Sequence, residues 1–380
     1  MHIQKGNVAK MTLKLKRNCL YCIFLLTFLL LLHPVKAQYD FSGTDNWLSE
    51  NITDLGGRAV LLILKEGRII YSKSVNNMNM RQKVITKIVA KKIAGDSSID
   101  KQDYNADFRI AIASCSKWLS AALVMTFIDE GSLKLNDTVG QFLPIMSVNG
   151  KGNITIADCL SHLTGIKSGS VREARKIATE VPDMEASMKA IAALPMEAKP
   201  GTAFHYNSLG LQIAAAVIEN ISGKPFKTLF HERIAMPCSM MNTDFGNKPV
   251  PLPAGGAVST AFDYLNFLQM ILNKGIFNGR QVLSSSAIEL MQRDQLINKK
   301  IIHSPANADT YGYGFGEWIM QNELNESTGS VTSPGLFGSF PWIDNKRRYA
   351  AVLFTFNFKS KGRHQLYNSL KASVDATLSN

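Results

Sequence analysis

The sequence predicts an α/β protein of the α+β kind. An antiparallel sheet is assembled from both ends of the chain, terminal helices flank it, and a helical region is inserted between. Three observations predict this. A β-rich pair of runs lies near the start, Arg58 to Leu64 and Ile69 to Ser72, around the turn Lys65-Glu66-Gly67-Arg68. A second pair lies near the end, Phe337 to Ile343 and Tyr349 to Phe356, around Asp344-Asn345-Lys346. Paired β-rich runs around Gly or Asn turns read as hairpins, and hairpins imply antiparallel pairing. Between them the texture is helical.

The helical elements follow in order. Ser114 to Asp129 is apolar on nearly every face and stops at Gly131, which predicts a buried helix with a glycine stop. Val181 to Leu194, Leu211 to Asn220 and Phe262 to Leu272 also read as helices, and Gly362 to Leu378 as a closing one. Phe108 to Ala113 reads as a strand. Tyr311 to Gly316 is glycine-rich but opens no helix, so it reads as a twisted strand and not a phosphate loop. Lys346-Arg347-Arg348 reads as a solvated hairpin tip.

The first 37 residues stand apart. They hold six cations (Lys5, Lys10, Lys14, Lys16, Arg17 and Lys36) and no acid, and an apolar run, Leu20 to Leu32, precedes Pro34 and Val35-Lys36-Ala37. A basic head, a short apolar core and a small-residue exit describe a secretory signal, and the apolar core is short for a spanning helix. Met11 offers a second start. The alternative is a retained N-terminal anchor. Export to periplasm or medium is therefore expected, with a single domain from 38 to 380. Its sheet part comprises 38–112 and 251–380, and its helical part 113–250.

Charge and cysteine usage exclude several classes. The chain carries a net +12, of which six belong to the signal, leaving about +6 for 343 residues. No basic block suggests nucleic acid, and no integral membrane domain is expected after cleavage. Cys115, Cys159 and Cys238 are too few and scattered for a disulfide framework. No Cys or His spacing resembles a zinc site, so no metal is expected.

The candidate chemistry is Ser114-Cys115-Ser116-Lys117. Positions i and i+3 share a helix face, so the hydroxyl and amine can meet. A serine hydroxyl is a weak nucleophile and needs a base. A lysine serves only where burial or nearby charge favours its neutral form. The pattern occurs twice, since Ser98-Ile99-Asp100-Lys101 repeats it in a polar run. Context favours Ser114, which follows a strand-like run and opens the most apolar helix of the mature chain.

Longer stretches carry a resemblance. Phe108 to Pro144, Ile154 to Ile166 (ITIADCLSHLTGI), Lys199 to Phe226, Ala254 to Gly275 and Ser333 to Asp344 (SPGLFGSFPWID) are similar to segments of the β-lactamase-related serine hydrolases. That group includes class C β-lactamases, D-Ala-D-Ala carboxypeptidases and several esterases. The resemblance spans essentially the whole mature chain and implies a serine β-lactamase/penicillin-binding-protein-like fold. It implies Ser114 as nucleophile and Lys117 as its partner. The family's Tyr-x-Asn motif stands as Tyr206-Asn207-Ser208, with Tyr206 as base or proton relay. The expected Asn is Ser208, and Asn207 is the neighbour that would have to replace it. The Lys-Thr-Gly or His-x-Gly motif stands as Ser333-Pro334-Gly335, with Gly335 at a strand edge and the cation absent. The backbone N–H groups of Ser114 and Leu336 would form the oxyanion hole. His162, in CLSHLTG, reads as a hydrogen-bonded histidine shaping a loop. His205 is expected to point away from the pocket, and Trp318 and Trp342 to pack.

These readings imply acyl transfer with no cofactor, on a carboxylic ester or small amide. The alternatives are a D-amino-acid peptide or a β-lactam, and a non-catalytic penicillin- or cell-wall-binding protein of the same fold. The partner is in each case a small-molecule ester, amide or peptide.

Overall fold

The computed structural model describes residues 39–93, 103–305, 308, 310–321, 327–357, 359 and 361–379. The expected signal and the second Ser-x-x-Lys copy lie outside the described residues.

Seven strands form one sheet: β1 (Arg58–Lys65), β2 (Arg68–Asn76), β3 (Gly312–Tyr313), β4 (Trp318–Gln321), β5 (Ser327–Thr332), β6 (Phe340–Asp344) and β7 (Tyr349–Thr355). Their spatial order is β2-β1-β7-β6-β5-β4-β3, and every pairing is antiparallel. The N-terminal hairpin thus joins the C-terminal strands at the β1–β7 seam, where Ala59 faces Thr355 and Lys65 faces Tyr349. The expected sheet from both termini is present.

The composition of the strands explains their places. Ala59 to Leu64 is uninterrupted apolar sequence, and β1 is buried on both faces. β7, Tyr349 to Thr355, is buried throughout. Strands covered on both sides lose the alternation of a half-buried sheet. Ser72, Lys73 and Ser74 alternate poorly with apolar residues, and β2 is the exposed edge.

Helices cover both faces. α1 (Ser42–Asn51) lies against the closing helix α5 (Arg363–Ser379), tied by Trp47 Nε1 donating to Ser369 Oγ at 2.9 Å. α4 (Ala261–Leu272) packs on β1, β6 and β7 from the other side, its start capped by Thr260. α2 (Ser116–Asp129) is buried from Ser116 to Phe127 and ends before Gly131 at φ +80°. It packs against α3 (Leu209–Ser222), which ends on Gly223 in the left-handed region. No helix among the described residues is long and apolar enough to cross a membrane.

Several sequence expectations are corrected. Phe108 to Ala113 yields only a two-residue strand, Ile110–Ala111, paired with Val258–Ser259 outside the main sheet. Between β2 and that strand lies a helix, Met80–Ile93, so 38–112 is not all sheet. β6 starts at Phe340, three residues late, because 333–339 forms a turn. The tip Lys346-Arg347-Arg348 is exposed, but it is not simply solvated. Arg347 pairs with buried Asp344, which also holds Lys371, and Arg348 donates to Leu272 O. The three cysteines are free and buried.

Candidate active site

Ser114 sits where the short strand Ile110–Ala111 turns into α2. Ile112 N–H donates to Ala257 O at 3.0 Å, and Ala113 then takes φ +46°. A left-handed alanine costs roughly 1–2 kcal/mol, so neighbours must hold it. Ser116 does so. Its hydroxyl donates to Ala113 O at 2.6 Å and accepts from Ala257 N–H at 3.0 Å. Tyr264, from α4, donates to Cys115 O at 2.8 Å. The result is a single 3₁₀ turn, Ala113–Cys115, that presents Ser114 half-buried at the mouth of a helix buried from Ser116 to Phe127. The same bend cuts short the expected strand.

Among the described residues, Lys117 is the buried cation bonded to Ser114. Its Nζ lies 3.2 Å from Ser114 Oγ and 2.7 Å from Ala254 O, and the residue is 3% exposed. Burial pushes its pKa down to about 7, because the ammonium form loses its hydration there. As an ammonium it donates to both oxygens. On losing a proton it can keep donating to Ala254 O and turn its lone pair to the serine hydroxyl.

Tyr206 closes the third side. It follows the short strand Ala203–His205, and its N–H donates to His303 O at 3.1 Å. Lys117 Nζ lies 4.7 Å from its ring centre, a cation–π distance. Burial raises its phenol pKa, and hydrogen bonding with the Ser114 and Trp318 side chains opposes the rise. The phenol therefore stays protonated at neutral pH, while Lys117 is close to losing its proton.

An aromatic cage fixes the tyrosine. Trp318 lies 5.2 Å away and His162 4.7 Å away, centroid to centroid. His162 Nε2 shares a 3.0 Å hydrogen bond with Tyr313 Oη, and its burial, with Lys117 nearby, holds the ring neutral. It shapes the site, at φ +59°, with Tyr313 and not Ser114 as its hydrogen-bond partner among the described residues. His205 points away, as expected, its Nδ1 bonded to Glu197 Oε1 at 2.5 Å. Trp342 is core and bonds Tyr349 Oη, whereas Trp318 is a wall of the site. Beside it Glu317 is fully buried, and burial raises its pKa well above the usual carboxyl value.

The remaining pocket candidates divide. Asn207 is spent on the backbone. Its Nδ2 donates to His205 O at 2.7 Å, and its Oδ1 accepts from Leu209 N–H at 2.8 Å. It shapes the entry to α3 and is not a substrate holder. Ser208 occupies the N-cap of α3 without a side-chain cap bond and remains partly exposed. Ser333 is also corrected. It is buried, and its hydroxyl donates to Ser114 O at 3.2 Å or Gly316 O at 3.1 Å, so it fastens the nucleophile segment to the sheet.

Gly335 is not on a strand edge but in the turn between β5 and β6. A Cβ there would stand 2.5 Å from Ile112 O, so only glycine lets this turn close on the nucleophile segment. Leu336 follows, 55% exposed. Among the described residues neither the Ser114 nor the Leu336 N–H donates to a backbone carbonyl. The sequence reading missed Ala254, Trp318 and Tyr313. Ala254 acts through its carbonyl, which no residue type signals. Trp318 and Tyr313 stood in plain aromatic runs and needed the sheet order to place them.

A half-buried serine with a deeply buried lysine on the next turn, faced by a protonated tyrosine, lies at the border of an antiparallel sheet and a helical region. That combination is the serine β-lactamase and penicillin-binding-protein fold. The beta-lactamase family profile matches residues 50–376, and the chain belongs to that family.

Relatives span several activities. An uncharacterized protein of Mycobacterium tuberculosis is 26% identical over 289 residues, 62% of this chain and 72% of that one. The D-alanyl-D-alanine-carboxypeptidase/endopeptidase AmpH of Escherichia coli K12 is 24% identical over 259 residues, 62% of this chain and 66% of that one. Among solved structures, a candidate beta-lactamase from Bacteroides dorei superposes with TM-score 0.74 at 24% identity, covering 90% of this chain and all of that one. A family VIII carboxylesterase superposes with TM-score 0.68 at 18% identity, covering 88% and 97%. The hydrolase EstCE1, described as having promiscuous acyltransferase activity, gives 0.68 at 19% identity, covering 87% and 99%. At these identities the structural likeness concerns the fold. The family includes esterases and carboxypeptidases.

Proposed function

We propose that the protein is an exported serine hydrolase that forms an acyl-enzyme at Ser114 and acts on a carboxylic ester or small amide. The carrying observation is Lys117, buried 3.2 Å from Ser114 Oγ with its pKa pushed down to about 7. An amine that exchanges its proton near neutral pH is suited to general-base work.

The steps follow from the atoms present. Neutral Lys117 takes the proton from Ser114 as Oγ attacks the substrate carbonyl, and the carbonyl π electrons move to oxygen. The N–H groups of Ser114 and Leu336 hold that oxygen. As the intermediate collapses, the bond to the leaving oxygen or nitrogen breaks, and Tyr206 passes it a proton drawn from Lys117. Water then attacks the acyl carbonyl, losing its proton to the same pair, and Ser114 Oγ leaves with a proton. Tyr206 thus serves as relay, because its raised pKa makes a standing phenolate unfavourable.

The substrate preference is read from the sheet side. Ser333 stands where a β-lactamase of the resembling kind keeps a cation, and its hydroxyl turns inward. Exposed Leu336 offers an apolar edge. Both favour a neutral acyl group over a carboxylate-bearing one. Similarity to AmpH supports a D-amino-acid peptidase as the second reading.

A fluorophosphonate probe should label the wild type and fail to label Ser114→Ala. Equal labelling of both would end the nucleophile assignment. A p-nitrophenyl ester panel beside a chromogenic cephalosporin and a D-Ala-D-Ala peptide ranks the substrate classes, and turnover of the peptide alone would favour the second reading. Labelling without turnover of any would make it a binding protein. Export is tested by mass spectrometry of the mature N-terminus; an intact Val35-Lys36-Ala37 would overturn it.

A further inference from the structure

The Leu336 N–H can serve as a donor only if the turn that carries it is held. Ser333–Ser339 joins β5 to β6, and its carbonyls are pinned one after another. Gly335 O accepts from Gly338 N–H at 3.0 Å, and Phe337 O accepts from Asn357 N–H at 2.7 Å. Between them, Leu336 O accepts from Arg363 Nη1 at 2.8 Å. In a trans peptide the C=O and N–H point to opposite sides. Drawing Gly335 O toward Gly338 therefore sends the Leu336 N–H the other way. Arg363 fixes the next peptide plane and stops Leu336 from rotating.

Arg363 is itself unusual. It opens α5, is 6% exposed, and uses its second amino group on Asn357 O at 2.9 Å and Lys359 O at 2.8 Å. Among the described residues its partners are three carbonyl oxygens and no carboxylate. Burying a guanidinium without an acid is unfavourable, and charge-assisted bonds to carbonyls offset that in part. The guanidinium stays charged at every working pH. It is felt nearby, where it lowers the pKa of Tyr367 against the rise caused by burial.

We propose that Arg363 is the positioning residue of the oxyanion turn. It locks the Leu336 peptide, and its charge, bonded among the described residues to carbonyl oxygens alone, favours a negative oxygen at that edge. The inference rests on the acyl-enzyme reading of Ser114. A planar fork is required, since a lysine is a point charge and cannot bridge the turn, the end of β7 and the start of α5 at fixed angles.

The test uses the full chain with Arg363→Gln and Arg363→Lys, checked for fold by circular dichroism and thermal melting. Three readouts are taken: the fluorophosphonate labelling rate, kcat and KM on p-nitrophenyl butyrate, and inhibition by phenylboronic acid, which forms a tetrahedral adduct on serine. For Arg363→Gln, kcat and labelling rate are expected to fall roughly 10- to 100-fold with KM within threefold, and boronate affinity to fall in proportion. Arg363→Lys keeps the charge and loses the fork, so its values should lie between. A folded Arg363→Gln with unchanged kcat, or a loss confined to KM with boronate binding intact, overturns the inference. If Arg363→Gln does not fold, Arg363→Lys decides, and equality with wild type overturns it. A wild type that does not label at Ser114 overturns the acyl-enzyme reading too; a wild type that labels no faster than Arg363→Gln overturns only the role of Arg363.

Discussion

The two walls of the site are built on different terms. On the helix-borne wall, Lys117 is bonded to Ser114 and to the Ala254 carbonyl, with Tyr206 beside them. On the sheet-borne wall, Ser333 spends its hydroxyl on backbone carbonyls, and Leu336 in the following turn is exposed. In the proposed reaction, one wall supplies proton chemistry through titratable side chains. The other supplies shape and backbone donors, with the Ser333 hydroxyl as a fastener and Gly335 letting the turn close. The lesson is that catalytic machinery and substrate-holding groups can part company within one cleft.

The largest way to break this contrast is Lys117→Met. Activity on an ester should fall by about 10³-fold or more, since the serine loses its base. Stability should move the other way. The amine has a folded pKa of about 7 against 10.5 unfolded, so between those values the unfolded chain binds more protons. Its presence therefore costs stability in full below about pH 7, and the cost fades as pH climbs toward 10.5. At pH 6 that cost is roughly 5 kcal/mol before the loss of the bond to Ala254 O is counted. Lys117→Met should melt higher than wild type at pH 6, with the gap closing by pH 10. A uniform drop in Tm would show that Lys117 is held charged by something else. In the wild type, kcat should rise with pH through about 7.

Gly335→Ala tests the other wall. Its Cβ would press on Ile112 O at 2.5 Å, so the turn must retreat from Ser114. A fall in kcat of roughly 10- to 100-fold is expected, with KM little changed. Fluorophosphonate labelling at the wild-type rate would show that the turn takes no part. The smallest effect separates Asn207 from the site. Asn207→Ala removes two bonds to backbone and should lower stability by about 1 kcal/mol, leaving kcat within threefold. A large rise in KM would restore it as a substrate holder.

Much of the fold was legible because local chemistry repeats tertiary demand. The run Ala59 to Leu64 can only be buried, and the glycines after β1 and α2 mark real turns. The strands β4 and β5 were not anticipated, because short strands depend on their neighbours more than on their own residues. At the site, helix periodicity placed Ser114 with Lys117. It could not show that Ser333 turns inward, since a serine is equally at home on either face of a chain.

By itself, then, the sequence determined the sheet from both ends, the buried helix and the pairing of a serine with a lysine one turn on. Those follow from spacing and apolarity, which are local. Only the tertiary structure decided that Lys117 loses its hydration, that Asn207 and Ser333 serve the backbone, and that Arg363, 249 residues from Ser114 along the chain, reaches the turn that carries Leu336. Desolvation and hydrogen-bond partners are properties of what surrounds an atom, and distant parts of the chain supply those surroundings.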